Sequence, residues 1–372
     1  MKRKIFIITE RRADYSRFKP ILELIQTDSS LDYDLVVTGL HLKEEHGYTI
    51  REIESDGFRI FSSFEMFLED KDTGGSMVRA YAEAVKNVTY ELEKSKPDII
   101  LSGFDIAANA AVTLAGAHMN IPVAHIQGGE VTGTIDESIR HAMSKFAHYH
   151  FAANEDARQR LIKMGEMPDR VFNVGCPSID AILNVKADNE IVKKYNLTSP
   201  YFLLIQHPVT SEITESANQI KITLEAINKS NIKALIILPN NDAGYSKIMS
   251  QIKNSNIFSV DTLSINDYVN LLRYSSGLIG NSSSGIHEAA SFDIPVINIG
   301  TRQQGRLRPD NVIDVGHDLE EIIDAINKCL KIIDENISFN NPYGDGKSAQ
   351  KIVTLLKKLN ISDKIIQKRI TY

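Results

Sequence analysis

Asp105 and Asp136 each follow a short apolar run, at 99–101 and 121–126, and a turn or loop of small residues. Such runs read as buried parallel strands, and ligands of open α/β sheets sit beyond the carboxyl ends of the strands. Asp105, at the mouth of its own strand, therefore converges on the same edge as the 127–136 loop, which carries Gln127 and Glu130 after a Gly128-Gly129 turn. Two carboxylates facing one pocket do not ionise equally. One is forced to keep its proton while the other is charged, which provides an acid and a base within one site. Asp136 also stands at the start of a helix, where carboxylates serve as caps, and the spacing leaves cap and catalyst equally open.

His207 follows a strand directly and precedes Pro208, which restricts it at the edge of a cleft. A histidine there can act as acid, base or phosphate partner near neutral pH; a structural or solvated role is the alternative. The run Gly280, Asn281, Ser282, Ser283, Ser284, Gly285 lies between a strand and a helix expected to start near residue 286. Such a turn exposes backbone N–H groups and a helix N-terminus, which suits a phosphate or diphosphate. Its bland counterpart is a plain Ser-rich turn. Glu288, one turn into that helix, can accept hydrogen bonds from ribose hydroxyls or simply favour the helix. Arg12, just past the first strand, can face a phosphate or lie on the surface. Asn240 and Arg302 extend this binding set from the ends of two further strands. His125, inside an apolar strand, reads as a satisfied core histidine. His141, His148 and His150 have helix-then-strand spacing that points them apart, so no metal set is formed. The chain has no G-x-G-x-x-G after its first strand, hence no dinucleotide fingerprint.

Positioning these residues takes a strand–helix alternation. Strands are expected at 4–9, 34–37, 99–101, 121–126, 149–152 and 170–174, with helices between them. Residues 175–200 break the pattern and contain a polar helix. The alternation restarts with strands at 201–205, 234–238, 277–279 and 295–299, and helices at 319–332 and 349–359 finish the chain. The fold class is therefore α/β, with two Rossmann-like domains facing a cleft. The expected organisation is a first domain over 1–180, a second domain over 181–355, and a C-terminal helix and tail over 356–372.

The 372 residues are 42% hydrophobic and 24% charged, as in a globular protein. A net charge of −6 argues against a nucleic-acid partner held by bulk electrostatics. Two cysteines, Cys176 and Cys329, exclude a disulfide framework and a cysteine-based zinc site. The apolar run at 5–8 is too short for a signal segment or a membrane span, so a cytoplasmic protein with no membrane partner is expected.

Taken in order, Arg12-Ala13-Asp14-Tyr15, His125-Ile126-Gln127-Gly128-Gly129-Glu130, Thr134 to His141, His207-Pro208-Val209-Thr210, Pro239-Asn240-Asn241-Asp242, Gly280 to Gly285 and Gly300-Thr301-Arg302-Gln303 form a set. The set resembles the hydrolysing UDP-N-acetylglucosamine 2-epimerases of bacterial sialic-acid and legionaminic-acid synthesis, over nearly the whole chain. The resemblance implies a glycosyltransferase-B-like architecture with a C-terminal helix crossing back to the first domain. It implies no cofactor, a nucleotide-sugar substrate, UDP as a product, and a homodimer. It further implies loss of the C2 proton as UDP leaves C1, a glycal intermediate, then hydration with the proton returning from the opposite face. By position, Asp105, Asp136 and His207 match the reacting groups, Arg12 the diphosphate-side arginine, Ser283, Ser284 and Gly285 the phosphate turn, and Glu288 the ribose carboxylate.

Some positions depart from the family pattern. The usual Gly-Asp-Arg reads Phe104-Asp105-Ile106, and Ala108 stands where an acid is common. Gln127 occupies the place of a catalytic Glu and cannot ionise, and Glu130, three residues on, is a candidate replacement acid. Glu10-Arg11 replaces the usual small pair in the first turn. These changes surround the sugar end, and they fit an altered sugar specificity or a weakened site. A glycosyltransferase of the same architecture and a non-catalytic nucleotide-sugar-binding protein are the rival readings.

Overall fold

A computed structural model describes residues 2–69, 71, 73–240 and 242–371; Asn241, within the 239–242 motif, lies outside the described residues. The first sheet holds β1 (Arg3–Thr9), β2 (Leu31–Thr38), β3 (Ile60–Phe64), β4 (Ile99–Gly103), β5 (Val123–Ile126), β6 (Tyr149–Ala152) and β7 (Val171–Asn173). The second holds β8 (Tyr201–Ile205), β9 (Lys233–Ile237), β10 (Ser259–Val260), β11 (Gly277–Gly280), β12 (Val296–Ile299) and β13 (Val312–Val315). Their orders are β3-β2-β1-β4-β5-β6-β7 and β10-β9-β8-β11-β12-β13, with every pairing parallel. Central strands such as Ile5–Ile8 are apolar on both faces because helices cover both sides of a parallel sheet. The strand order reverses between β1 and β4 and between β8 and β11, and these reversals open the crevices in which ligands of such sheets lie.

The second domain contains elements that the apolar pattern does not announce. These are the helix Tyr245–Lys253, the two-residue β10, and β13, an edge strand whose residues are only half-buried or exposed. The helix after β11 begins at Ser283 rather than near residue 286, because Ser282 caps it. Residues 175–200 hold two helices, Pro177–Leu183 and Glu190–Lys194. The second is the polar helix expected there, while the first buries Pro177, Ile179 and Ile182.

The chain passes between the domains near Gly175 and returns near Gly344. A side chain at Gly175 (φ +88°) would put its Cβ 2.6 Å from Ser348 Oγ, so the two passages can lie side by side only with glycine there. Cys176 N–H donates to Tyr343 O at 2.7 Å, and the Asp180 carboxylate accepts from Ser348 N and Ala349 N at 3.0 and 2.8 Å. These bonds start the helix Ser348–Lys358, whose Ile352 and Leu356 are buried in one core with Ile5, Phe18, Ile21 and Leu22 of the first domain. The last helix thus crosses back, as expected.

Leu356→Ala should lower stability by about 2–5 kcal/mol, because a fully buried side chain is removed from that shared core. Urea unfolding followed by circular dichroism measures it; a midpoint equal to that of the parent chain would show that the helix does not contribute to the core.

Candidate active site

Asp105 leaves β4 through Phe104, whose φ of +70° lies in the left-handed region. A bulky residue there costs on the order of 1–3 kcal/mol. Packing offsets that cost: the Phe104 ring meets Phe18 edge-on at 5.2 Å and lies 4.9 Å under the Arg17 guanidinium. The Phe104 carbonyl, which only accepts, takes a hydrogen bond from His125 Nε2 at 3.0 Å. Burial pushes His125 down to about 3, so the ring is neutral and its Nδ1 accepts from Ser144 Oγ at 3.2 Å. His125 is the satisfied core histidine that the sequence suggested, and it holds the backbone next to Asp105.

Asp136 and Arg140 lie one turn apart on the helix Ile135–Phe146. Thr134 is the cap: its Oγ1 accepts from Asp136 N at 3.3 Å and donates to the Asp136 carboxylate at 2.8 Å. Asp136 is therefore released from the capping role and lines the cavity. Arg140 forms an ion pair with Asp105, and its Nη1 donates to Glu130 O at 2.9 Å. Burial raises the Asp105 pKa, but Arg140, Arg306 and Arg17 outweigh it and hold the carboxyl below its ordinary range. Asp136 moves the other way, pushed up by burial and then by the charge of Asp105. The two carboxyls are thus driven apart, one toward the anion and the other toward the acid.

Gln127 ends β5 with a φ of +59°. Its Oε1 accepts from Arg17 at 3.2 Å, and its Nε2 donates to Glu130 at 3.4 Å. Glu130 Oε2 lies 3.3 Å from Nε2 of His287, which comes from the second domain. Burial raises the Glu130 pKa, yet His287, Arg306 and Arg140 more than offset it and keep the group well below the carboxylate range. Burial lowers His287 to about 4 even beside that anion, so its ring is neutral. Glu130 has the surroundings of a permanent anion, a poorer proton acceptor than its sequence position suggests.

In the second domain His207 follows β8. Asn281 clamps its backbone, accepting from His207 N at 2.7 Å and donating to His207 O at 2.9 Å. Asn281 is therefore used up in holding the histidine. The Asn240 N–H donates to His207 Nδ1 at 3.2 Å, which leaves the proton on Nε2. Burial, then Arg302 and Arg11, lower the His207 pKa well below the usual value, so the ring is a neutral donor. Ser284 Oγ donates to Glu288 at 2.6 Å and also touches the Tyr268 hydroxyl; burial raises the Glu288 pKa. Gly285 faces the sheet, where a Cβ would lie 2.7 Å from Val296 Cγ1, so it serves packing. Arg302 donates to Asn281 O at 3.2 Å. Arg12 spans the mouth of the cleft: Nη1 donates to Thr262 Oγ1 at 2.5 Å and Leu263 O at 2.6 Å, and Nε pairs with Glu52 at 2.9 Å.

These groups line two joined compartments. One, of about 450 Å³, is bordered by Arg12, His207, Asn240, Ser282, Ser284 and Glu288. The other, of about 60 Å³, is bordered by Asp105, Gln127, Glu130, Asp136, Arg140 and His287. Arg17, Ser283 and Arg302 border both. The domains are stitched beside the smaller compartment. Gly133 N–H donates to Arg302 O at 3.0 Å, and a Cβ on Gly133 would lie only 1.9 Å from Thr301 O. Arg306 Nε donates to Val131 O at 3.1 Å. Among the described residues no group of His, Cys, Asp and Glu could hold a metal ion. Arg17, Arg140, His287 and Arg306 were not singled out from the sequence. Of these only Arg140 had a local signal, its helical i+4 spacing from Asp136.

A family model described as UDP-N-acetylglucosamine 2-epimerase matches residues 23–357. The chain is 35% identical to the UDP-N,N'-diacetylbacillosamine 2-epimerase (hydrolyzing) of Legionella pneumophila over 99% of each chain. It is 34% identical to the GDP/UDP-N,N'-diacetylbacillosamine 2-epimerase (hydrolyzing) of Campylobacter jejuni over 84% of each. A crystal structure of the UDP-GlcNAc 2-epimerase of Neisseria meningitidis bound to UDP-GlcNAc has the same fold, with a TM-score of 0.81 at 20% identity over 96% of this chain and 100% of that one.

Arg140→Met should destabilise the protein by about 3–5 kcal/mol, because Asp105 loses its ion-pair partner. Thermal unfolding near neutral pH reads this. A melting temperature equal to that of the parent chain would mean that the pair is not holding the site.

Proposed function

The chain belongs to the UDP-N-acetylglucosamine 2-epimerase family, and we propose that it is a hydrolysing 2-epimerase of a UDP-linked 2-acetamido sugar. The observation that carries this reading is the opposed pair of Asp105 and Asp136 in a small polar compartment joined to a larger one. The larger compartment, with the Ser282–Ser284 turn, Glu288 and His207, suits the nucleotide. The smaller, too narrow for a whole hexose, suits the reacting C1–C2 edge of the ring, with Arg17, Ser283 and Arg302 at the junction where the C1–O bond would break. The ionised Asp105 takes the C2 proton as the C1–O electron pair leaves with UDP, forming the C1=C2 bond of a glycal. His207 Nε2–H and Arg302 stabilise the departing diphosphate. Asp136 then delivers a proton to the other face of C2, and water adds its oxygen at C1 and gives up one proton to solvent. Solvent restores both carboxyl groups, so C2 of the product carries a solvent proton.

The names of the relatives at 35% and 34% identity support a 2,4-diacetamido-trideoxy hexose as the sugar, with N-acetylglucosamine as the alternative. The product would then enter synthesis of a sialic- or legionaminic-type acid in the cytoplasm, with the enzyme acting as a homodimer. No helix among the described residues is long and apolar enough to cross a membrane. The test is to incubate the enzyme in heavy water with each UDP-sugar and with the GDP counterpart, following products by NMR. Release of UDP with deuterium at C2 of the 2-epimer is expected. Absence of UDP release from every 2-acetamido sugar nucleotide would sink the proposal, and transfer to an acceptor would favour a glycosyltransferase.

Asp136→Asn should lower kcat by about 10²–10⁴-fold, the usual size of an acid–base contribution, while UDP affinity by calorimetry changes little. The pH profile checks the same role. A group that must be protonated loses activity as pH rises through its pKa, and the upward shift at Asp136 moves that loss to higher pH than for an ordinary carboxyl. The variant's residual rate should lack this alkaline limb. Glu288→Ala should raise KM about tenfold, as expected for losing a charged hydrogen bond to the ribose; an unchanged KM would remove Glu288 from that role.

A further inference from the structure

The C-terminal segment lies against the back of the first domain, on the far side of the Ile135–Phe146 helix from the cleft. Tyr149 OH donates to Asn360 O at 2.6 Å, and Thr371 N–H donates to Gly165 O at 3.0 Å. Between these ties, Lys368 enters a socket of four acceptors. Its Nζ lies 2.6 Å from Ser144 O, 3.1 Å from Lys145 O, 2.6 Å from Ala147 O and 2.6 Å from a carboxylate oxygen of Glu166. The three carbonyls belong to the last turn and the C-cap of the helix that carries Asp136 and Arg140. Such carbonyls have no partners within their own helix, and they form the negative end of its dipole, where a cation is favoured. A helix of 12 residues is about 18 Å long. The ammonium and the reacting carboxyl therefore stand at opposite ends of one stiff rod.

Ser144 ties the two ends together. It falls one turn after Arg140 and two turns after Asp136, on the same helix face. Its carbonyl is held by Lys368, while its hydroxyl contacts His125 Nδ1, whose other nitrogen holds Phe104 O next to Asp105. Gly128 makes room for that contact, since a Cβ there would lie 2.8 Å from Ser144 Oγ. The same Lys368 ammonium thus bears on both members of the acid pair, one through the helix and the other through a serine and a histidine. We propose that Lys368 is a positioning residue, a tail-borne cap that sets the Ile135–Phe146 helix so that Asp136 and Arg140 meet Asp105 in the geometry the reaction needs. This rests on the reading of Asp105 and Asp136 as the reacting pair.

The test compares full-length Lys368→Met and Lys368→Arg with the parent enzyme. Methionine keeps an apolar stem, and Glu166 retains Lys145 and His150, each at 2.8 Å, so the fold is expected to persist. In Lys368→Met, kcat should fall at least about tenfold, as small misplacements of reacting groups do. UDP should still bind with the same stoichiometry and within about twofold of the parent affinity, because its contacts lie mainly in the other domain. Arginine, which keeps the charge, should recover most of the lost rate. Hydrogen–deuterium exchange should become faster across 135–140 as well as in the tail, and stay unchanged in the helix Leu319–Asp334. An undiminished kcat would overturn the assignment. So would a fall in kcat matched by an equal loss of UDP-binding sites, or faster exchange confined to the tail. If the parent enzyme releases no UDP, the function proposed above fails by itself, and the exchange measurement still decides whether Lys368 holds the helix.

Discussion

One guanidinium stands at the centre of this molecule. Arg140 is almost fully buried, is ion-paired with Asp105 and is bonded to the backbone of Glu130, and it lies one helical turn from Asp136. Burying charge is unfavourable unless the partners are close and the remaining hydrogen bonds are filled. Arg140 meets that condition by tying three acidic positions together at the carboxyl edge of one sheet. The same pairing keeps Asp105 charged, and the charge of Asp105 in turn raises Asp136. The two aspartates are shifted in opposite directions because Asp105 has Arg140 in contact, while the largest charge acting on Asp136 is that of Asp105.

The second domain completes this arrangement. His287 and Arg306 reach Glu130 and Val131 of the first domain, and the 131–134 loop lies so close to Thr301 that position 133 accepts only glycine. The two domains thus meet through polar contacts beside the smaller compartment. His207 borders the larger compartment, with its tautomer set by Asn240 and its backbone set by Asn281. Neutral histidines on that side donate hydrogen bonds without adding positive charge that would lower Asp136.

The positions that depart from the family pattern have local accommodations. Phe104 takes up a left-handed backbone where glycine is usual, and its ring is held by Phe18 and Arg17. Glu10 is buried, pairs with Arg11, and accepts from Ala108 N at 2.9 Å, so a carboxylate still serves the start of the helix that lacks its own acid. Gly39 leaves the space for it, since a Cβ there would lie 2.4 Å from Glu10 Cγ. Gln127 keeps two hydrogen bonds in the smaller compartment without a charge. Of these positions Phe104 and Gln127 border the smaller compartment, whereas Arg11 borders the larger.

Period and composition were sufficient for the two-domain α/β architecture, because buried parallel strands are apolar runs of fixed length and the residues at their carboxyl ends must face the crevice. That rule pointed to Asp105, His207 and the Ser282–Ser284 turn and brought the 127–136 loop to the same edge, but it left Asp136 open between cap and cavity group. Edge strand β13 and the helix Tyr245–Lys253 escaped it, since partly exposed elements carry a weak apolar signal. What the chain order could not contain is which charges touch. Arg17, Arg140 and Arg306 come from three separate segments, and the divergence of two chemically identical aspartates arises from how near those cations stand to Asp105 and how near Asp105 stands to Asp136. Whether Asp136 was a cap or a cavity group was decided by Thr134 taking the cap. Local pattern depends on neighbours in sequence, whereas proton affinity depends on neighbours in space, and only folding supplies the latter.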